Sequence, residues 1–156
     1  MQCDTILVPL DFSPHSVAAL DHAIELAKQF DGKIHLLHCY DVYVGSVSPY
    51  GIAVPQSFDM ECREAAVRET QEWAERVKAA GIEVETTVTP AAAPDAIAAT
   101  AKEIDADLIV MGSRGLTGLK HVVLGSVADR TLRIAPCPVL TVKEADAERG
   151  KAGEPA

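Results

Sequence analysis

Apolar residues recur along this chain in two rhythms. Thr5-Ile-Leu-Val-Pro-Leu10 and Asp107-Leu-Ile-Val-Met111 are short continuous apolar runs, the pattern of strands with both faces covered. Lys33 to Cys39 and Pro138 to Lys143 read as further strands, and Glu83 to Thr89 alternates as another. Between these runs the period is helical. Ser13-Pro14 supplies an N-cap followed by proline at the first helical position, and Val17, Leu20, Ile24 and Ala27 then share one face until Asp31-Gly32,. Cys62, Ala66, Val67, Trp73, Ala74 and Val77 predict the apolar face of a helix from near Asp59 to Ala80, with Gly81 as its stop,. Pro94-Asp95 opens a helix with Ile97, Ala101 and Ile104 on one stripe. Ser126-Val-Ala-Asp129 reads as a capping box that starts a short helix ended by Pro136,.

Strand and helix thus alternate throughout, and right-handed crossovers turn that order into a parallel sheet with helices on both faces. The class is α/β. Residues 1–143 are expected to form one domain and residues 144–156, with Gly150, Gly153 and Pro155, a solvated, disordered tail,. Asp41 to Asp59 carries neither period and contains Gly45, Pro49, Gly51 and Pro55. A connection of that length is expected to serve as a lid over a ligand.

Composition narrows the classes. A chain of 156 residues buries roughly 68–70% of its unfolded surface without covalent staples. Cys3, Cys39, Cys62 and Cys137 are scattered with no Cys-x-x-Cys pair, which fits reduced apolar fillers in a cytoplasmic protein. No basic leader precedes the first strand and no run approaches ~18 apolar residues, so neither export nor membrane insertion is expected. The net charge of −9 works against nucleic acid as a partner, because such binding neutralises phosphates with Lys and Arg.

In an open parallel sheet, ligands bind outside the carboxyl ends of the strands where strand order reverses. After the first strand stands Asp11, whose carboxylate could accept from ribose hydroxyls or reach a phosphate-bound magnesium, or could belong with Ser13 to a helix-capping turn. After the fourth runs Met111-Gly-Ser-Arg-Gly115-Leu-Thr-Gly118-Leu-Lys-His-Val-Val-Leu-Gly125-Ser126. Glycines there admit a phosphate close to the backbone, and the first amides of the following helix are orphan donors at its positive end. Lys120 and His121 are either further phosphate contacts or solvated side chains. The remaining histidines, His15, His22, His35 and His38, have no partners at zinc spacing and are expected in structural or surface roles,.

The loop matches neither the dinucleotide pattern nor the Walker pattern. Its spacing, Gly-x2-Gly-x9-Gly-Ser, resembles the signature of nucleotide-binding members of the universal stress protein family. The similarity runs over residues 3 to 143 and includes Ile6-Leu-Val-Pro-Leu-Asp-Phe-Ser13, Leu36-Leu-His38, Asp107 to Gly115 and Pro136-Cys-Pro-Val-Leu-Thr-Val142.

The resemblance implies a Rossmann-like five-stranded sheet of order 3-2-1-4-5 with ATP, accompanied by magnesium, at its carboxyl edge. Carried over by position, it implies that Pro9, Leu10 and Asp11 hold adenine and ribose, with Asp11 also placed to meet magnesium, and that Cys39 lines the adenine pocket. Met111 and Gly112 would flank the nucleoside. Arg114 and Gly115 would approach the phosphates, which Gly125, Ser126 and Val127 would bind. The loop Thr89-Pro-Ala-Ala-Ala-Pro94 lacks a glycine common in the family at that place. In the implied order residues 138–143 form an edge strand, and the resemblance points to a homodimer through it, with Val139, Leu140 and Val142 beside their partner equivalents.

Phosphoryl transfer needs a positioned nucleophile and charge stabilisation, and no dedicated general base accompanies this cradle. The first functional reading is a nucleotide-dependent regulatory module of the stress response. The alternatives are a slow ATPase or self-phosphorylating protein, with Ser113, Thr117 or Ser126 as acceptor, and a dimeric scaffold without nucleotide.

Overall fold

The computed structural model describes residues 3–41, 56–115 and 124–144. In chain order these form β1 (Thr5–Leu10), α1 (Pro14–Phe30), β2 (Lys33–Cys39), α2 (Gln56–Ala79), β3 (Val84–Thr89), α3 (Ala93–Glu103), β4 (Leu108–Gly112), α4 (Ser126–Ile134) and β5 (Val139–Val142). The strands make one parallel sheet of order β3-β2-β1-β4-β5. β1 is central, with Ile6 opposite Ile34 on one side and Leu108 on the other. Strand order reverses between β1 and β4, so a crevice opens beyond their carboxyl ends.

Alternation along the strands feeds two cores. Ile6, Val8, Ile34, Leu36 and Val110 pack with Leu20, Ala23 and Ile24 of α1 and Ala74 and Val77 of α2. Leu7, Leu37, Ile109 and Met111 face the other way, against Ile97 and Ala101 of α3 and Ala128 of α4. β1 and β4 are therefore covered on both sides, which is why their sequences are continuously apolar, whereas β3 at the sheet edge alternates,.

Several local expectations change. α2 begins at Gln56, so it takes in the end of the expected lid; residues 42–55 of that lid lie outside the described residues. Val67 is 39% exposed rather than part of the buried face of α2. The buried position is Thr70, whose hydroxyl donates to the Ala66 carbonyl at 2.7 Å and so enters the core satisfied,. β5 is an edge strand, yet its face is divided: Leu140 is 38% exposed while Val142 is 2% exposed and already belongs to the first core. Val142 thus has little surface left to bury against a partner. Glu144, where the expected tail begins, donates its N–H to His15 Nδ1 at 3.2 Å; residues 145–156 lie outside the described residues.

Candidate functional site

The site is assembled at the carboxyl edge by the turns after β1 and β4. Ser13 caps α1, its hydroxyl accepting from Ser16 N at 3.2 Å. Asp11 Oδ1 accepts from Ser13 N at 3.0 Å and from the Ser16 hydroxyl at 2.5 Å. That is the capping role. The other oxygen, Oδ2, points toward Gly115, near enough that a Cβ built there would stand 2.6 Å from it. One carboxylate therefore holds its own turn and presents a second acceptor to the crevice.

The glycines of the second turn are required by close approach. None of Gly112, Gly115 and Gly125 has a φ in the left-handed region. A Cβ on Gly112 would meet His15 Cβ at 2.7 Å and His15 C at 3.0 Å. One on Gly125 would lie 3.3 Å from both Arg114 Cα and Ser113 O, because Gly125 N donates to Ser113 O at 2.7 Å. This bond closes the loop across residues 116–123, which include Thr117, Gly118, Lys120 and His121 and lie outside the described residues.

The expected capping box is corrected here. Gly125 is the N-cap of α4, Ser126 is its first helical residue, and no side chain caps the helix. The Asp129 carboxylate instead reaches Arg133, with Nε to Oδ2 at 3.3 Å. A serine one position further on cannot supply the capping geometry. The first amides of α4 are thereby left to a ligand or to water.

Between these turns lies a cleft of about 450 Å³. Pro9, Leu10, Asp11, Cys39, Met111, Gly112, Arg114, Gly115, Gly125, Ser126 and Val127 all line it, so the sequence-predicted residues converge on one cavity. Ser16, Leu37, Ala93, Ile97 and Ala128 line it as well and were missed. Three of these were within reach of simple spacing: Leu37 shares a strand face with Cys39, and Ala93 and Ile97 are four apart on α3,. Their small and aliphatic side chains make one wall apolar, on the side where the loop after β3 lacks the family glycine. Ser113 is 2% exposed and absent from the lining, unlike Ser126.

The profile described as the Universal stress protein family matches residues 3–143. The chain belongs to that family. Over 144 residues it is 38% identical to universal stress protein MJ0531 of Methanocaldococcus jannaschii, covering 89% of this chain and 81% of the relative. With universal stress protein YxiE of Bacillus subtilis the identity is 36% over 144 residues, with 88% and 97% covered. Among solved structures, the protein MJ0577 superposes with a TM-score of 0.80 at 27% identity, over 92% of this chain and 97% of the other. A universal stress protein solved in complex with cAMP gives a TM-score of 0.66 at 28% identity, over 92% and 99%.

Two histidines of this universal stress protein fold are held by hydrogen bonds. His22 Nδ1 donates to Ala18 O at 2.9 Å, and His35 lies between Glu85 (3.3 Å) and Thr87 (2.8 Å). No group of three or more His, Cys, Asp or Glu gathers at metal-binding distance among the described residues. Burial raises the Cys39 thiol from 9.0 to about 11, so it faces the cleft as a neutral, weakly polar group,. Among the described residues no helix is long and apolar enough to cross a membrane.

Proposed function

We propose that this universal stress protein binds ATP with magnesium in the cleft, as a cytoplasmic, nucleotide-dependent regulatory module. The observation that carries the reading is the pairing of the uncapped start of α4, at Gly125-Ser126-Val127, with the Asp11 carboxylate in one 450 Å³ cavity. The size lies within the range of roughly 300–1,000 Å³ used for small ligands. Orphan amides at a helix N-terminus favour phosphate, and Arg114 on the same wall adds a cation,. A bare carboxylate repels phosphate, so Asp11 suits a ribose hydroxyl or a magnesium ion that bridges to the phosphates. The apolar wall of Leu37, Cys39, Ala93 and Ile97 suits a purine. The family relative solved with cAMP supports an adenine nucleotide as the class.

The partner in this reading is a second copy of the chain, paired through 138–143, since among the described residues β5 pairs with β4 alone and leaves Leu140 exposed,. The acidic net charge supports neither nucleic acid nor an anionic membrane as a partner,. Calorimetry with ATP, AMP and cAMP, with and without magnesium, tests the ligand, together with mass spectrometry of small molecules released from the purified protein. Absence of heat with all three nucleotides would sink the proposal.

A further inference from the structure

Phe12 has φ 63°, in the left-handed region, where a bulky side chain is strained and glycine is not,. The consequence is visible one residue on. This conformation turns Ser13 N–H back to Asp11 Oδ1 and leaves Oδ2 on the side of Gly115. A strained residue therefore aims the carboxylate of the cleft, which is where such outliers tend to have a use.

Two rings hold Phe12. The Phe12 ring lies 4.3 Å from the His38 imidazole, tilted by 32°, and 5.5 Å from the Trp73 indole, tilted by 56°. His38 Nδ1 stands 2.8 Å from the Leu10 carbonyl; a carbonyl only accepts, so Nδ1 carries the proton and donates,. Leu10 and Cys39, the chain neighbours of Asp11 and His38, both line the cleft. Phe12 and Trp73 pack in the α1 and α2 layer, whereas Leu37, Ile97, Met111 and Ala128 of the cleft belong to the opposite layer. The turn after β1 is gripped from one side of the sheet and used from the other.

We propose that Phe12 and His38 are positioning residues for the Asp11 carboxylate, and that through Trp73 they couple occupancy of the cleft by an adenine nucleotide to the packing of α2. This rests on the nucleotide binding proposed above. A ligand that draws on Asp11 Oδ2 pulls against the Phe12 backbone, and the ring moves relative to Trp73 on α2. The coupling is reciprocal, so whatever loosens α2 weakens the ligand.

Trp73 is the single tryptophan of the chain, so its emission reports the contact directly. ATP with magnesium is titrated into the full chain by calorimetry and by tryptophan fluorescence. The expected result is an emission change with the same midpoint as the heat. Phe12→Gly accepts the φ without strain but lacks the ring, and should weaken ATP by roughly three- to tenfold and abolish the emission change. Phe12→Tyr should keep both. Heat with flat emission, or parent affinity in Phe12→Gly, overturns the coupling and leaves nucleotide binding standing. No heat with ATP, AMP or cAMP overturns both. If Phe12→Gly does not fold by circular dichroism, Trp73→Leu replaces it, and parent affinity there overturns the proposal.

Discussion

Asp11 Oδ2 and Gly115 meet so closely that a single Cβ on the glycine would lie 2.6 Å from the oxygen. The turns after β1 and β4 thus meet at one point, and only a residue without a side chain leaves the carboxylate where it is. What such a Cβ meets differs among the three glycines, and the difference separates binding from folding.

For Gly115 the obstacle is the far end of a flexible side chain. Gly115→Ala should displace the Asp11 carboxylate and lower the urea midpoint by no more than Asp11→Ala does, and Gly115→Val should weaken ATP by roughly tenfold or more,. For Gly112 the obstacle is the backbone and Cβ of His15. Gly112→Ala should cost about 1–3 kcal/mol of stability, as overpacking does. Denaturation curves beside calorimetry test the pair; parent-like ATP affinity in a folded Gly115→Val protein rejects the phosphate-loop assignment.

Asp11→Ala removes the acceptor of Ser13 N and the Ser16 hydroxyl as well as the oxygen facing the cleft. Hydrogen bonds to a charged group are worth about 1.5–3 kcal/mol, so ATP affinity should fall by that order and the protein should also melt earlier. Unchanged affinity for ATP and for magnesium-ATP would remove Asp11 from the site.

Cys39 gives a pH dependence with a definite sign. Its folded value is raised by burial from 9.0 to about 11, so between those values the unfolded chain has lost the proton and the native chain retains it. Its contribution to stability is fully present below pH 9 and is lost as pH rises through 11. Cys39→Ser should flatten part of the alkaline fall in melting temperature. Below pH 9 the native thiol should react with iodoacetamide more slowly than an exposed thiol; labelling of Cys39 in the native state as fast as that of an exposed thiol contradicts the raised value.

Pairing through β5 is checked by light scattering. The parent should be a dimer at tens of micromolar and Leu140→Pro, which removes a ladder donor, should be monomeric or misfolded. Leu140→Glu is the gentler control, since residue 140 is exposed. A monomeric parent defeats the interface without bearing on the cleft.

Hydrolysis of ATP should run well below the common enzymatic range of ~1–10³ per second. No histidine is among the described residues lining the cleft, and Asp11 Oδ1 is committed to its own turn. A steady-state rate within that range, lost in Gly115→Val, would favour the ATPase reading.

Element order and the covered strands were legible because hydrophobic period reports burial directly: Ile6, Leu7 and Val8 are all fully buried. The glycines were legible as a group, since their spacing is local. Less legible was what each is for, because the neighbours of Gly112 and Gly115 are His15 and Asp11, about a hundred residues away. The α4 cap was misread because Ser126 has the right chemistry one position too late, and the register is set by Gly125 bonding to Ser113. Thr70 was missed because its hydroxyl satisfies itself on the helix backbone. Phe12 gave no signal, since a left-handed φ at an aromatic residue has no sequence signature.

The central place of β1 sets when a site can exist at all. Asp107 Oδ2 accepts from Asp4 N across 103 positions of sequence, and the cleft takes Asp11 from one end of the chain and Ser126 from the other. On the ribosome, a nascent chain lacking β4 and α4 has the Asp11 carboxylate and the apolar wall but neither the phosphate-side donors nor the strand that flanks β1, so only part of the cleft exists. A nucleotide bound as proposed would then add its full binding free energy only to the completed fold. A cell rich in that ligand would protect finished molecules from proteolysis while leaving partly synthesised ones exposed to it.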